Sequence, residues 1–405
     1  MLGQKEVLRE QYLEKLRIAK DTDFIKVITG ARRCGKSTLL RQFQEEIARD
    51  DADSVNIISL NLEEVEFDFI NNYNDLYYFI KDKMSNSKQN FIFIDEIQGV
   101  KEFERAVDSL YVKKNVDLYI TGSNSKMLSS ELATLLTGRY IEIEMLPLSF
   151  SEYLEIGTGE LPKLFEQFLE FGGFPAVAMQ NSEDLKDLAL RSLYATSIIK
   201  DIETRMPQLE INKLERFVDF IFNNIGNTVS ALNVANTMTT NGDKISDKTI
   251  GGYLTELSNC FILYPAERYD IKGKRLLRNS KKYYLVDQGI RRATKSRAPR
   301  ADLGHALENV VFLELKRRFD RVWIGKVDDN EVDFAVSDND GNVQYIQVAY
   351  SAMDENTMAR ELKPFKKIRD NQQKILLSLD INRPQNYDGI RHINVIDWLL
   401  GKTIF

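Results

Sequence analysis

The chain has 405 residues, 43% hydrophobic and 29% charged, with 8 Pro and 21 Gly, a balance that excludes a collagen-like or wholly disordered chain. At roughly 100 to 200 residues per domain it predicts two to four domains rather than one core. Fifty-five Lys plus Arg against sixty-one Asp plus Glu leave a net −6, so any nucleic acid must meet a local basic patch and not the molecule as a whole.

The N-terminal MLGQKEVLREQYLEKL is charged throughout and lacks the apolar core of an export signal. Five apolar runs bounded by turn residues then read as strands: Phe24 to Ile28, Val55 to Leu60, Phe91 to Ile94, Leu118 to Ile120, and the alternating Ile141, Ile143 and Met145. Helical patterns at Ser37 to Ala48, Leu76 to Met84 and Phe103 to Val112 lie between them. Residues 1–150 therefore predict an α/β core with a parallel sheet covered on both faces. Residues 151–210 turn helical, with Leu161, Leu164, Phe165, Phe168 and Leu169 on one face and GGFP as a break, and predict a helical lid.

Residues 211–300 give three helices, Ile211 to Asn224, Ala231 to Met238 and Ser246 to Cys260, then two short strands, Phe261 to Tyr264 and Tyr283 to Val286, joined by a Lys/Arg-rich loop. That order predicts a winged helix. Its stretch Phe220 to Gly242 lacks charged residues but holds six Asn and four Thr, too polar to cross lipid. Residues 301–405 open with an amphipathic helix, Leu303 to Phe319, and continue through four strand-like runs, which predicts a separate small α/β domain. Two cysteines, Cys34 and Cys260, and two histidines, His305 and His392, are too few for a zinc site or a disulfide framework, so a soluble cytoplasmic protein is expected.

Gly30-Ala31-Arg32-Arg33-Cys34-Gly35-Lys36-Ser37 fits G-x-x-x-x-G-K-[ST] and lies between a predicted strand and a predicted helix, the context that the motif requires. Such a loop folds tightly enough for successive N–H groups to surround phosphates, and the helix N-terminus adds its positive dipole end. Residues Gly30 to Thr38 are thus the candidate nucleotide-binding set, with Lys36 on the β and γ phosphates and Ser37 as a ligand of Mg²⁺. Phe91-Ile92-Phe93-Ile94-Asp95-Glu96 is an apolar strand that delivers two carboxylates to the sheet's carboxyl edge. Asp95 suits indirect or water-mediated Mg²⁺ binding, and Glu96 suits orienting and deprotonating the attacking water in γ-phosphoryl transfer. Thr121-Gly122-Ser123-Asn124-Ser125 brings short polar groups to the same edge, with Asn124 the candidate for touching the water or the γ-phosphate.

GARRCGKSTLL, FIFIDE, YITGSN, LTGRY and LPLSFSEYL resemble the AAA+-type P-loop ATPases found in many prokaryotes. In that family these stretches carry Walker A, Walker B and a sensor, and Lys36, Ser37, Asp95, Glu96 and Asn124 match them. Arg139 resembles an arginine that stabilises transition-state charge, within a chain or across to a neighbour. The resemblance implies ATP and Mg²⁺ as the small-molecule partners. It extends to the end of the chain, whose last part is similar to the domain of unknown function that follows the P-loop module in the same family.

Between Ile262 and Arg300 twelve basic residues face three acidic ones, a segment of +9 that leaves −15 for the rest. Lys272, Lys274, Arg275, Lys281 and Lys282 are the candidate DNA contacts of this basic wing. The competing reading is a protein-binding or interdomain module. In the last domain, Glu308, Asp333 in Glu331-Val332-Asp333-Phe334, and Gln347-Val348-Ala349 resemble the PD-(D/E)xK nuclease layout, in which carboxylates and a lysine surround Mg²⁺. The pattern is degenerate: Gln347 stands for an acid and Ala349 for the lysine. Glu308 and Asp333 retain the option of a weakly held metal, and the expectation is a nuclease-like scaffold without strand cleavage. Three functional classes remain: an ATPase that uses nucleotide state to reorient its C-terminal half, an ATP-sensing regulator without turnover that acts on DNA or a protein, and a Mg²⁺-dependent nuclease.

Overall fold

The computed structural model describes residues 6–51, 53–125, 136, 138–206, 210–294, 303–381 and 385–402, the side chains of 198, 200, 204 and 278–280 apart. The chain divides into two compact units, Met1–Pro147 with Asn259–Phe261, and Leu148–Ser258 with Ile262–Phe405.

In the first unit, α1 (Glu10–Ala19) precedes β1 (Ile25–Thr29), α2 (Lys36–Asp50), β2 (Val55–Asn61), α3 (Tyr73–Lys83), β3 (Gln89–Asp95), α4 (Phe103–Tyr111), β4 (Val116–Gly122) and β5 (Tyr140–Glu144). The sequence-predicted strands and helices are all present, a residue or more longer or shorter at their ends. Among the described residues the strands form a sheet in the order β2-β3-β4-β1-β5, and every pairing is parallel. Apolar clusters cover both faces: Val27, Ile92, Ile94 and Ile120 pack toward Leu76, Val107 and Leu110 on one. Phe91, Phe93 and Tyr119 pack toward Leu13, Leu39 and Phe43 on the other. Burial on both faces is what makes these strands continuous apolar runs.

The one charge inside β1, Lys26, is fully buried and is neutralised across the sheet by Asp117 at 2.5 Å. Asp117 also accepts from Tyr119 Oη at 2.9 Å. Leaving either charge alone there would cost about 3–5 kcal/mol. Because β1 lies between β4 and β5 while the chain leaves it toward β2, the order reverses beside β1, which puts a crevice at the carboxyl ends of β1, β3 and β4.

The second unit starts with helices Phe150–Ile156, under a Ser149/Glu152 capping box, and Leu161–Phe171. The second of these ends at the expected GGFP break: Gly172 has φ +76°, and the buried Asp287 accepts from the Gly173 N–H at 2.6 Å and the Gly289 N–H at 2.8 Å. Helices Ile211–Asn223, Ala231–Thr240 and Asp247–Asn259 follow, with a short β6 (Thr228–Val229) after the first.

The hairpin departs from the sequence expectation. Its strands, β7 (Leu263–Asp270) and β8 (Arg275–Leu285), are long and antiparallel, so most of the basic residues stand on strands and not in a loop. Lys and Arg set among Tyr and Leu hid them, since charges break up an apolar run. β9 (Arg321–Val327), β10 (Asn330–Ser337), β11 (Val343–Val348), β12 (Gln373–Ser378), β13 (Asn386–Tyr387) and β14 (Ile390–Asn394) complete the unit's strands. Arg268, Tyr269 and Asp270 of β7 pair in parallel with Ile324, Gly325 and Lys326 of β9. Among the described residues one sheet therefore runs β13-β14-β12-β11-β10-β9-β7-β8-β6, across the point where the sequence suggested a domain boundary.

Helix Leu303–Arg318, expected to be amphipathic, is buried along residues 306–315. Its polar members have partners: Asn309 bonds the backbone of Leu285 through both amide atoms at 2.7 and 2.9 Å, and Arg318 reaches Glu314 at 2.7 Å. No helix among the described residues is long and apolar enough to cross a membrane.

Candidate functional site

The loop from Gly30 to Gly35 joins the end of β1 to the start of α2, with Lys36 as the first helical residue. Gly30 has φ +141°, and a Cβ there would come within 2.2 Å of the Met145 carbonyl oxygen, so no other residue fits. Arg33 (φ +64°) and Gly35 (φ +108°) supply the other left-handed turns. No side chain caps α2, which leaves the N–H groups of its first turn open to an anion. Ala31 and Cys34 are buried, and burial pushes the Cys34 thiol up, so both are packing residues of the loop. Arg32 lies 3.6 Å from Glu63, and Arg33 and Ser37 are exposed, with Thr38 half-buried.

Lys36 is 3% exposed. Its ammonium donates to the Gly30 and Ala31 carbonyls at 3.1 Å each and lies 3.4 Å from Glu96 Oε1. Parallel pairing of Ile94 with Ile120 sets Asp95 beside Thr121, whose hydroxyl donates to Asp95 and accepts the Glu96 N–H at 2.9 Å. Burial raises the Asp95 carboxyl above its ordinary value, and the nearby Ser37 and Thr121 hydroxyls offset this only in part. Glu96 goes the other way. Burial would raise it, but the Lys36 charge and hydrogen bonds from Gln98 and Ser123 hold it below the usual glutamate value. Ser123 Oγ donates to Glu96 Oε2 at 3.1 Å, and Gln98 donates to both Glu96 and Ser123.

Asn124, half-buried, follows Ser123 beyond the end of β4 and so emerges at the same edge. Arg139 does not. It precedes β5, and its carbonyl accepts the N–H of Ile25, the first residue of β1. That is the amino edge of the sheet, roughly 15 Å of strand away from the phosphate loop. There Arg139 pairs with Asp108 at 2.5 Å and its guanidinium stands 5.4 Å from the Tyr111 ring centre. A catalytic role for Arg139 within its own site is thereby corrected: strand direction carries it to the wrong end of β5. Thr137, its partner in the sequence motif, lies outside the described residues.

Gln98 was missed by the sequence reading, and Thr121 and Ser123 were read only as part of the polar run that brings Asn124 to the edge. Thr121, on β4, and Ser123, just past its end, flank Gly122, so strand register would have singled them out. Gln98 left no comparable signal.

The proposed DNA contacts fare unevenly. Lys272 pairs with Asp328 at 2.7 Å, Lys281 with Glu267 at 3.3 Å, and the exposed Arg275 lies 3.7 Å from Asp270. Lys274 is an exposed turn residue with φ +48°. Lys282 is a correction, because it is buried and bonded to Glu331 at 2.7 Å and Glu308 at 3.3 Å and cannot meet a phosphate backbone. The side chain of Arg278, and Lys295, Arg297 and Arg300, lie outside the described residues.

Glu308, Asp333 and Gln347 do come together, in an open cavity of about 660 Å³ that Glu331, Glu361 and Tyr350 also line. Asp333 accepts from the Val348 N–H at 2.8 Å, and Gln347 bridges the Asp333 N–H at 3.3 Å to Glu361 at 2.9 Å. Tyr284 Oη donates to Glu308 at 2.6 Å. Burial, then the Glu308 charge, drives the Asp333 carboxyl well above its usual range. Among the described residues no three His, Cys, Asp or Glu side chains are arranged to hold a metal. The Lys282 ammonium, on β8, supplies positive charge beside Glu308 and Glu331, next to the position where Glu308 and Asp333 suggested a weakly held metal.

A five-stranded parallel sheet with a phosphate loop after β1 and paired acids after β3 defines a P-loop nucleoside-triphosphatase fold of the AAA+ type. A family profile described as "AAA domain" matches residues 22–154. A second, "Domain of unknown function (DUF8612)", matches residues 162–300. The chain is 40% identical over 400 residues to an uncharacterized protein of Haemophilus influenzae, covering 97% of this chain and 98% of that protein. It is 30% identical over 396 residues to the uncharacterized protein MJ1544 of Methanocaldococcus jannaschii, covering 91% and 86% respectively. A crystal structure of Cdc6p from Pyrobaculum aerophilum is similar at 12% identity and a TM-score of 0.34, over 77% of this chain and 96% of that one. The chain belongs to the family of AAA-domain P-loop proteins that carry a C-terminal domain of unknown function.

Proposed function

We propose that this protein binds ATP with Mg²⁺ at the Gly30–Thr38 loop and hydrolyses it, and that nucleotide state governs the orientation of its C-terminal half. The observation that carries the reading is the convergence of Lys36, Ser37, Asp95 and Glu96 at one edge of the first sheet. The donor set suits Mg²⁺: the exposed Ser37, close to the Asp95 carboxylate, adds a second kind of hard oxygen, and this ion fills its remaining positions with water and phosphate. When bound, it neutralises charge on the β and γ phosphates. Lys36 would exchange the Gly30 and Ala31 carbonyls for phosphate oxygens. Glu96, kept ionised at neutral pH by Lys36, Gln98 and Ser123, is ready to take a proton from water, and Asn124 is positioned to orient that water.

Glu96→Gln should retain ATP affinity within about threefold while steady-state phosphate release falls by about 100-fold or more. Unchanged turnover would remove Glu96 as the base. The second reading, a nucleotide-holding regulator without turnover, draws on the absence of Arg139 from its own site, and wild-type phosphate release separates the two. In the second unit, helices 211–223, 231–240 and 247–259 with β6, β7 and β8 are read as a winged helix fused to a nuclease-like sheet. Pairing of its cations with Asp328, Glu267 and Glu331 favours the protein-contact alternative over DNA.

A further inference from the structure

The mechanism proposed above makes no use of Arg9, yet few cations in the first unit are so deeply placed. It is 3% exposed, stands at the start of α1, and bonds backbone far away in sequence. Its guanidinium donates from Nη1 to the Cys34 carbonyl at 3.1 Å, and from Nη2 to the carbonyls of Leu146 at 2.8 Å and Pro147 at 3.4 Å. Its guanidinium also stands 4.9 Å from the Tyr12 ring centre. Burying a charge costs more than burying an apolar residue of the same volume, so packing alone does not explain it.

The Cys34 contact bears directly on phosphate binding. The described peptide bonds are all trans, and in a trans peptide the C=O and the following N–H point in opposite directions. Pulling the Cys34 oxygen toward Arg9 therefore turns the Gly35 N–H to the other side of the loop. Gly35 needs this help, because it is held at φ +108° and glycine has more conformational freedom to lose than any other residue. The same guanidinium holds the carbonyls of Leu146 and Pro147, where the chain leaves the first unit. One rigid, planar group thus ties the phosphate loop to that exit.

We propose that Arg9 is a positioning residue of the nucleotide site: it fixes the 34–35 peptide so that the Gly35 N–H is preset for a phosphate, and it couples that peptide to the Leu146–Pro147 exit. The proposal rests on the ATP-binding reading. The test measures affinity for a fluorescent N-methylanthraniloyl ATP with Mg²⁺, thermal melting, and KM and kcat for ATP in the full chain. Arg9→Met, which keeps the volume and removes the donors, should weaken analogue binding by about tenfold or more. Arg9→Lys, which keeps the charge and part of the donation, should restore a clear portion of that loss and raise KM more than it lowers kcat.

Tyr12→Phe is the control. It deletes the bond from the Leu146 N–H to Tyr12 Oη, 3.0 Å, at the same exit peptide, and keeps the ring beside the Arg9 guanidinium, so it should lower the melting temperature with affinity unchanged within twofold. If Arg9→Met does not fold, Arg9→Lys against Tyr12→Phe decides alone. Wild-type affinity in Arg9→Lys, or affinity falling in step with melting temperature in both variants, would overturn the proposal. Wild-type protein that binds no analogue would instead overturn the ATP reading, and this inference with it.

Discussion

Two buried ammonium groups, Lys36 in the first unit and Lys282 in the second, stand among carboxylates, and their settings differ in one respect. Lys36 is held mainly by two backbone carbonyls at 3.1 Å, with Glu96 more distant at 3.4 Å. Lys282 is clasped by two carboxylates, Glu331 at 2.7 Å and Glu308 at 3.3 Å. Burial would lower its affinity for the proton, but Glu308, Asp333 and Glu331 together raise it. An ammonium held by dipoles can exchange them for a phosphate at little cost, whereas one neutralised by two acids has no charge to offer a ligand. The same residue types thus make an anion site in one place and a structural staple in the other.

Exchanging the defects tests this contrast most strongly. Lys36→Ala should weaken nucleotide binding by about 100-fold or more while changing stability little, because its partners include neutral carbonyls that water can reach once the side chain is gone. Lys282→Ala should do the opposite, lowering unfolding free energy by about 3–5 kcal/mol through the two stranded carboxylates while ATP affinity stays within twofold. Calorimetric titration and denaturant unfolding read the pair. Comparable losses of affinity in both would erase the distinction.

A smaller effect concerns Asp333, whose carboxyl is raised in the folded protein by burial and by Glu308. A carboxyl raised on folding favours the native state at low pH, and that contribution is lost as pH rises from the unfolded value, near 4, through the folded one. Asp333→Asn retains an oxygen for the Val348 N–H and removes the titration. Its melting temperature should therefore gain on wild type as pH rises above about 4, by a few degrees, and the difference should level off once Asp333 ionises. A difference independent of pH would mean that folding does not raise the Asp333 carboxyl.

The smallest change is expected for Arg139→Ala, whose partly exposed pair with Asp108 is worth about 0–1 kcal/mol. Its turnover at low protein concentration should stay within twofold of wild type. A fall of about 100-fold that deepens with dilution would show that Arg139 serves a neighbouring copy.

How much of this could be read in advance follows from the range of each interaction. The strands of the first sheet and the loop after β1 announced themselves because parallel strands buried on both faces are apolar runs and the loop needs fixed glycines. Glu96 and Asp95 came with their strand. What failed was long-range. Arg139 looked like a site residue until the direction of β5 placed it at the opposite edge, and Lys282 looked like part of a basic surface until β7 joined β9 and brought Glu331 beside it. Net charge along a segment says nothing about which acids the sheet will deliver. Arg9, 25 residues from Cys34 and 137 from Leu146, shows the same limit.

The central claim is that the Gly30–Thr38 loop holds a nucleoside triphosphate, and calorimetric titration of the wild-type full chain with MgATP tests it most directly. Saturable binding with one ATP per chain, lost without Mg²⁺ or in Lys36→Ala, is the predicted result. Wild-type protein that gives no heat with either ATP or GTP, while folded by circular dichroism, would contradict it.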